Sequence, residues 1–143
     1  MANMKQHKLG WIGIGRMGYA MAERLAKAGC DITVWNRTRA KAEPLAKSGA
    51  KIADTLAELA ACDIVFTMVS TGKDVKEVLF GENGVGAKGK MPKIVVDSTS
   101  ISLEESAEIR EKLAKLGVKL LAAPVSGNAK VIKAGKLTVV ASG

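Results

Sequence analysis

The chain has 143 residues, the length of one domain, and 48% of them are apolar, enough to bury a core. With 15 glycines and only 3% aromatic residues that core is aliphatic, and the +8 net charge is scattered among acids, which argues against a nucleic-acid binder. No apolar run approaches the roughly 18 residues of a membrane span, and the short polar start at Met1 lacks the apolar centre of an export signal.

Leu9 to Gly13 reads as a short buried strand ending in glycine. From Arg16 to Ala28, Met17, Ala20, Met21 and Leu25 recur at helical spacing, and Gly29 closes the helix. Ile32 to Trp35 is a second strand, followed by a helical stretch from about Thr38 to Lys47 that Pro44 disturbs. Lys51 to Ala53 is a candidate third strand, and Thr55-Leu56-Ala57-Glu58 is a capping-box pattern opening a short helix. Ile64 to Val69 is the next strand and Lys73 to Phe80 the next helix. A glycine-rich stretch, Gly84 to Lys90, reads as a flexible loop. It mimics a phosphate loop, but Met91 stands where a magnesium-binding hydroxyl is needed.

Ile94 to Asp97 is a further strand. Ser102-Leu103-Glu104-Glu105 repeats the capping-box signature, and its helix runs to Leu116. Val118 to Ala122 and Leu137 to Ala141 supply the last two strands. This alternation predicts an α/β fold of the Rossmann type, a doubly wound and mainly parallel sheet with helices on both faces. Its ligand crevice lies beyond the carboxyl ends of the strands, where strand order reverses. Cys30 and Cys62 sit in apolar surroundings with no metal or redox spacing, so reduced core thiols, a cytoplasmic location and no metal site are expected.

The first crossover carries Gly13-Ile14-Gly15-Arg16-Met17-Gly18, a G-x-G-x-x-G turn between a strand and a helix. Gly13 permits the tight turn, Gly15 lets the backbone approach a pyrophosphate, and Gly18 lets the helix pack on the strand. The diphosphate then rests on amides at the positive end of the helix. The second strand ends in Asn36-Arg37-Thr38, without the acid that holds the ribose hydroxyls of NAD. Asn36 can bond a ribose hydroxyl, Arg37 can clamp a 2′-phosphate, and Thr38 offers a hydroxyl and an amide. NADP, rather than NAD, is the expected cofactor.

These segments, with Met21-Ala22 and Lys27-Ala28-Gly29, resemble the opening of the 3-hydroxyisobutyrate dehydrogenase family of β-hydroxyacid dehydrogenases, whose relatives include 6-phosphogluconate dehydrogenase and semialdehyde reductases. Asp97-Ser98-Thr99 and Ala123-Pro124-Val125-Ser126-Gly127-Asn128 resemble two later motifs of that family, so the likeness runs from Leu9 to Gly143. It implies that Thr99 contacts the cofactor near the nicotinamide ribose and that Met68-Val69-Ser70 touches it too. Many members have Leu-Pro where this chain has Val69-Ser70. Ser126, Gly127 and Asn128 would receive the substrate, with Ser98 beside them, and Asn128 replaces a glycine of the usual motif.

The resemblance implies an oxidoreductase moving hydride between NADP(H) and a short 3-hydroxyacid, semialdehyde or 2-oxoacid. Residues 1–143 correspond to the dinucleotide-binding domain. The family's catalytic lysine belongs to a helical second domain, placed beyond Gly143, so no residue here is assigned as catalytic. An apolar face toward that domain would favour a homo-oligomer. The alternative is a non-catalytic NADP-binding module or sensor, with neither nucleic acid nor membrane as partner.

Overall fold

In the computed structural model the described residues are 7–99, 102–122, 125–126 and 138–139. Six strands form one sheet: β1 (Lys8–Ile12), β2 (Asp31–Trp35), β3 (Lys51–Ile52), β4 (Ile64–Thr67), β5 (Ile94–Asp97) and β6 (Lys119–Ala122). Their order is β3-β2-β1-β4-β5-β6, and every neighbouring pair is parallel. Parallel neighbours require crossovers, and these are supplied by α1 (Arg16–Lys27), α2 (Arg39–Ala42), α3 (Gly72–Phe80) and α4 (Leu103–Lys115), with short 3₁₀ turns between them. This is the doubly wound Rossmann arrangement that the sequence predicts. The order reverses between β1 and β4, and the loops leaving those two strands diverge to open a cleft.

Alternation along β1 shows how the sheet divides the core. Leu9 and Trp11 belong to an apolar cluster with Ala22, Ala26, Ile32, Val34 and Leu45, whereas Ile12 belongs to a second cluster with Val65, Val75, Val95, Ile109 and Leu113. The larger aliphatic members, Leu9, Ile12, Ile32, Leu45, Ile109 and Leu113, are fully buried. At about 1.5–3 kcal/mol for each such side chain, the two layers supply most of the driving force for folding.

Several elements differ from the sequence reading, each for a local reason. On α1 the buried positions are Gly18, Ala20, Ala22 and Ala26, while the bulkier Met17, Met21 and Leu25 are half-buried. Small residues four apart let the helix approach the sheet closely, and larger ones flank the contact. The stretch after Thr38 splits into α2 and a 3₁₀ turn over Glu43–Ser48 because Pro44, near the start of the turn, lacks an amide hydrogen.

Gly84 to Lys90 is not a flexible loop. It holds a 3₁₀ turn, Val85–Lys88, anchored by the fully buried Val85 in the second cluster. The final strand is also corrected: β8 (Thr138–Val139) pairs antiparallel with a short β7 (Val125–Ser126), outside the parallel sheet. Among the described residues only Leu103 and Leu116 are large, apolar and exposed, so the expected broad apolar face is not seen there. Among them, too, no helix is long and apolar enough to cross a membrane, and no cluster suited to a metal ion occurs.

Candidate functional site

The cleft at the switch point is built first by β1. Trp11 is fully buried, stacks on Phe66 with ring centroids 5.0 Å apart, and donates its indole N–H to the Gly13 carbonyl at 3.1 Å. The indole thereby orients the turn that follows. Gly13 takes φ of 101°, and a Cβ there would lie 2.0 Å from the Met68 carbonyl oxygen. A Cβ on Gly18 would lie 2.1 Å from the Gly13 carbonyl oxygen. Both glycines are thus required by contacts inside the protein.

Gly15 is different. A Cβ built on it meets nothing within 4 Å, and its φ of −81° is open to any residue. It is the N-cap of α1, with no side-chain cap and no acid in the first turn. The first intrahelical bond runs from the Tyr19 amide to the Gly15 carbonyl at 2.8 Å. The preceding amides therefore have no acceptor within the helix, and they lie at its positive end.

The second wall comes from β2. Asn36 accepts the Ile14 amide at 2.9 Å and donates to the Thr38 carbonyl at 3.0 Å. It ties the glycine turn to the β2 loop, a bridging role that the sequence reading did not assign. Arg37 and Thr38 are exposed on this loop, and Lys41 of α2, four residues beyond Arg37 in the chain, lies on the same wall.

The opposite wall comes from β4 and β5. Asp97 is buried, accepting the Thr67 hydroxyl at 2.9 Å and the Thr99 amide at 3.0 Å. Burial pushes its carboxyl above the usual carboxylate range, while the hydrogen bonds from Thr99 and Thr67 pull the other way. Thr99 in turn accepts the Val69 amide at 3.0 Å. That bond explains why β4 ends at Thr67, before the predicted Val69. Thr99 thereby links the loops after β4 and β5.

The resulting cleft has a volume of about 520 Å³, within the range of small-molecule sites. It collects Gly13, Ile14, Gly15, Met17, Gly18, Asn36, Arg37, Thr38, Met68, Val69, Ser70, Ser98 and Thr99 from the predicted residues. Arg16 is exposed and does not line it. Ser98, expected on the substrate side, sits on the cleft floor next to Thr99. Ser126 belongs to β7, and Gly127 and Asn128 lie outside the described residues.

Sequence reasoning missed Trp35, Lys41, Asp74 and Val78 as lining residues. The spacing of Lys41 from Arg37 was a usable signal. Asp74 offered none, since only the fold brings α3 to the β2 loop.

Residues 8–143 match the family model described as the NAD-binding domain of 6-phosphogluconate dehydrogenase. The chain belongs to that family. Among its relatives, chloroplastic glyoxylate/succinic semialdehyde reductase 2 of Arabidopsis thaliana is 38% identical over 94% of this chain and 38% of its own length. Human cytokine-like nuclear factor N-PAC is 35% identical over 95% of this chain and 25% of its own.

Two solved structures extend the comparison. Mycobacterium tuberculosis 3-hydroxyisobutyrate dehydrogenase, determined with L-serine, superposes with a TM-score of 0.86 at 28% identity, covering 96% of this chain and 46% of that one. An imine reductase of Myxococcus stipitatus in complex with NADP+ gives a TM-score of 0.75 at 33% identity, covering 87% and 43%. The chain spans less than half the length of each of these family relatives.

Proposed function

We propose that this chain is the NADP(H)-binding half of an oxidoreductase that moves hydride between the cofactor and a short 3-hydroxyacid, semialdehyde or 2-oxoacid. The observation that carries the reading is Gly15. Gly13 and Gly18 answer to the protein's own contacts, but the missing side chain of Gly15 leaves space that only a ligand gives a reason to keep. That space lies at an uncapped helix N-terminus free of acids, where a diphosphate is favoured.

Each wall then has its part. Arg37, Lys41 and Thr38 would take the 2′-phosphate, with the guanidinium as the bidentate partner. Asn36 holds the glycine turn against this loop. Met68, Val69 and Ser70 would bound the cofactor on the β4 side, and Thr99 would contact it near the nicotinamide ribose. The bound cofactor supplies the hydride, while the protein supplies orientation. Ser98, Ser126, Gly127 and Asn128 would receive the substrate. The acid–base group would come from a helical second domain, as the greater length of the relatives supports. Reduced, buried Cys30 and Cys62 support a cytoplasmic location, although one relative is chloroplastic. Self-association would be a property of the assembled enzyme.

Fluorescence titration tests the cofactor reading directly. NADPH should bind more tightly than NADH, and Arg37→Ala should weaken NADPH about tenfold or more, the scale of a charge-assisted hydrogen bond, while changing NADH little. Equal affinities in the unaltered protein would remove the argument.

A further inference from the structure

Asp74, the third residue of α3, is the one acid among the described residues that line the cleft. Its Oδ1 lies 3.6 Å from Arg37 Nη2, so an ion pair runs from the β2 loop to the opposite wall. The Asp74 backbone is pinned, because its amide donates to the Thr71 hydroxyl at 3.1 Å. The arginine is 73% exposed and the aspartate 25%, so the cation is the freer partner. A carboxylate from another element therefore reaches Arg37, although β2 itself ends without an acid.

We propose that Asp74 is a specificity-determining residue, which holds Arg37 across the cleft mouth and restrains the preference for a 2′-phosphorylated cofactor. The inference rests on the reading of Arg37 as the 2′-phosphate reader. A 2′-phosphate must compete with Asp74 for the guanidinium and brings further negative charge beside the carboxylate. A 2′-hydroxyl brings no charge and can donate to a carboxylate. Asp74 thus opposes NADPH and not NADH. Lys41 adds positive charge on the Arg37 side, and among the described residues no second lining acid is present to mask the loss of Asp74.

The test is Asp74→Asn, which keeps side-chain size and removes the charge. The chain is titrated with 2′,5′-ADP, 5′-AMP, NADPH and NADH at low and high salt. The asparagine variant should bind 2′,5′-ADP and NADPH about three- to tenfold more tightly, the scale of one partly screened charge contact. Its affinities for 5′-AMP and NADH should change less than about twofold, and salt should narrow the gap between the proteins. Asp74→Glu should restore the original preference.

Equal changes for both ligand pairs would overturn the proposal by making Asp74 a shaping residue, as would no change at all. If the unaltered chain prefers 2′,5′-ADP over 5′-AMP yet Asp74→Asn leaves the ratio fixed, only this inference falls. If the unaltered chain binds none of the four, the cofactor reading falls with it.

Discussion

At the scale of single residues, the three glycines of the first crossover separate two kinds of constraint. Gly18 faces the Gly13 carbonyl so closely that a methyl group has no room, and the contact partner is backbone rather than a yielding side chain. Gly18→Ala should therefore destabilise the fold by about 3 kcal/mol or more, in the range of overpacked sites where the main chain must shift. Gly15→Ala should leave urea unfolding within about 0.5 kcal/mol of the parent, as for an unstrained surface change, yet weaken NADPH at least about tenfold through collision with the diphosphate. Unfolding curves and cofactor titrations on the two variants check both halves. A Gly15→Ala protein that binds normally would show that no ligand uses that space.

Among elements, α1 shows what a sequence reveals and what it hides. Its existence, its glycine start and its end near Gly29 follow from spacing and capping chemistry. Of its buried stripe only the Gly18 contact was legible, because Met17, Met21 and Leu25 are the conspicuous apolar residues, while the helix also packs through Ala22 and Ala26. Apolar periodicity marks large side chains, whereas a close helix-on-sheet contact selects small ones. The glycine turn and Asn36-Arg37-Thr38 were legible because each lies just after a strand, and the fold fixes that position. Trp11 and Asp74 were not, since their roles depend on contacts across elements, whereas the spacing of Lys41 from Arg37 was a signal left unused. The antiparallel β7 and β8 pair was missed for a related reason: two-residue strands carry no period to read. The packing of α1 gives the element-scale prediction. Ala22→Leu should cost about 1–3 kcal/mol by overpacking the fully buried contact, whereas Met21→Leu, half-buried and nearly isosteric, should cost less than about 1.5 kcal/mol. Chemical denaturation compares them, and equal losses would mean that the bulky stripe bears the contact after all.

For the whole molecule, the sheet reverses its order between β1 and β4, so the cleft is shared by two halves of the structure that meet along a single strand pairing. On one side stand the β1 turn and the β2 loop, bridged by Asn36. On the other stand the loops after β4 and β5, joined by Asp97, Thr99 and Val69. A dinucleotide lying across the switch point would contact both halves at once, and linkage then requires it to stabilise the folded chain. At a free concentration of one hundred times its dissociation constant, NADPH should add about 2.7 kcal/mol, which raises the melting temperature of a domain this size by roughly 5–10 °C. NADH at the same concentration should give a smaller shift, and Gly15→Ala should cut the NADPH shift to about half or less. Hydrogen exchange should slow in the β1 turn and the β4 loop together, because one ligand spans both. Protection confined to one side would mean a ligand held by half the cleft, and an unchanged melting temperature at saturating NADPH would deny the site its occupant.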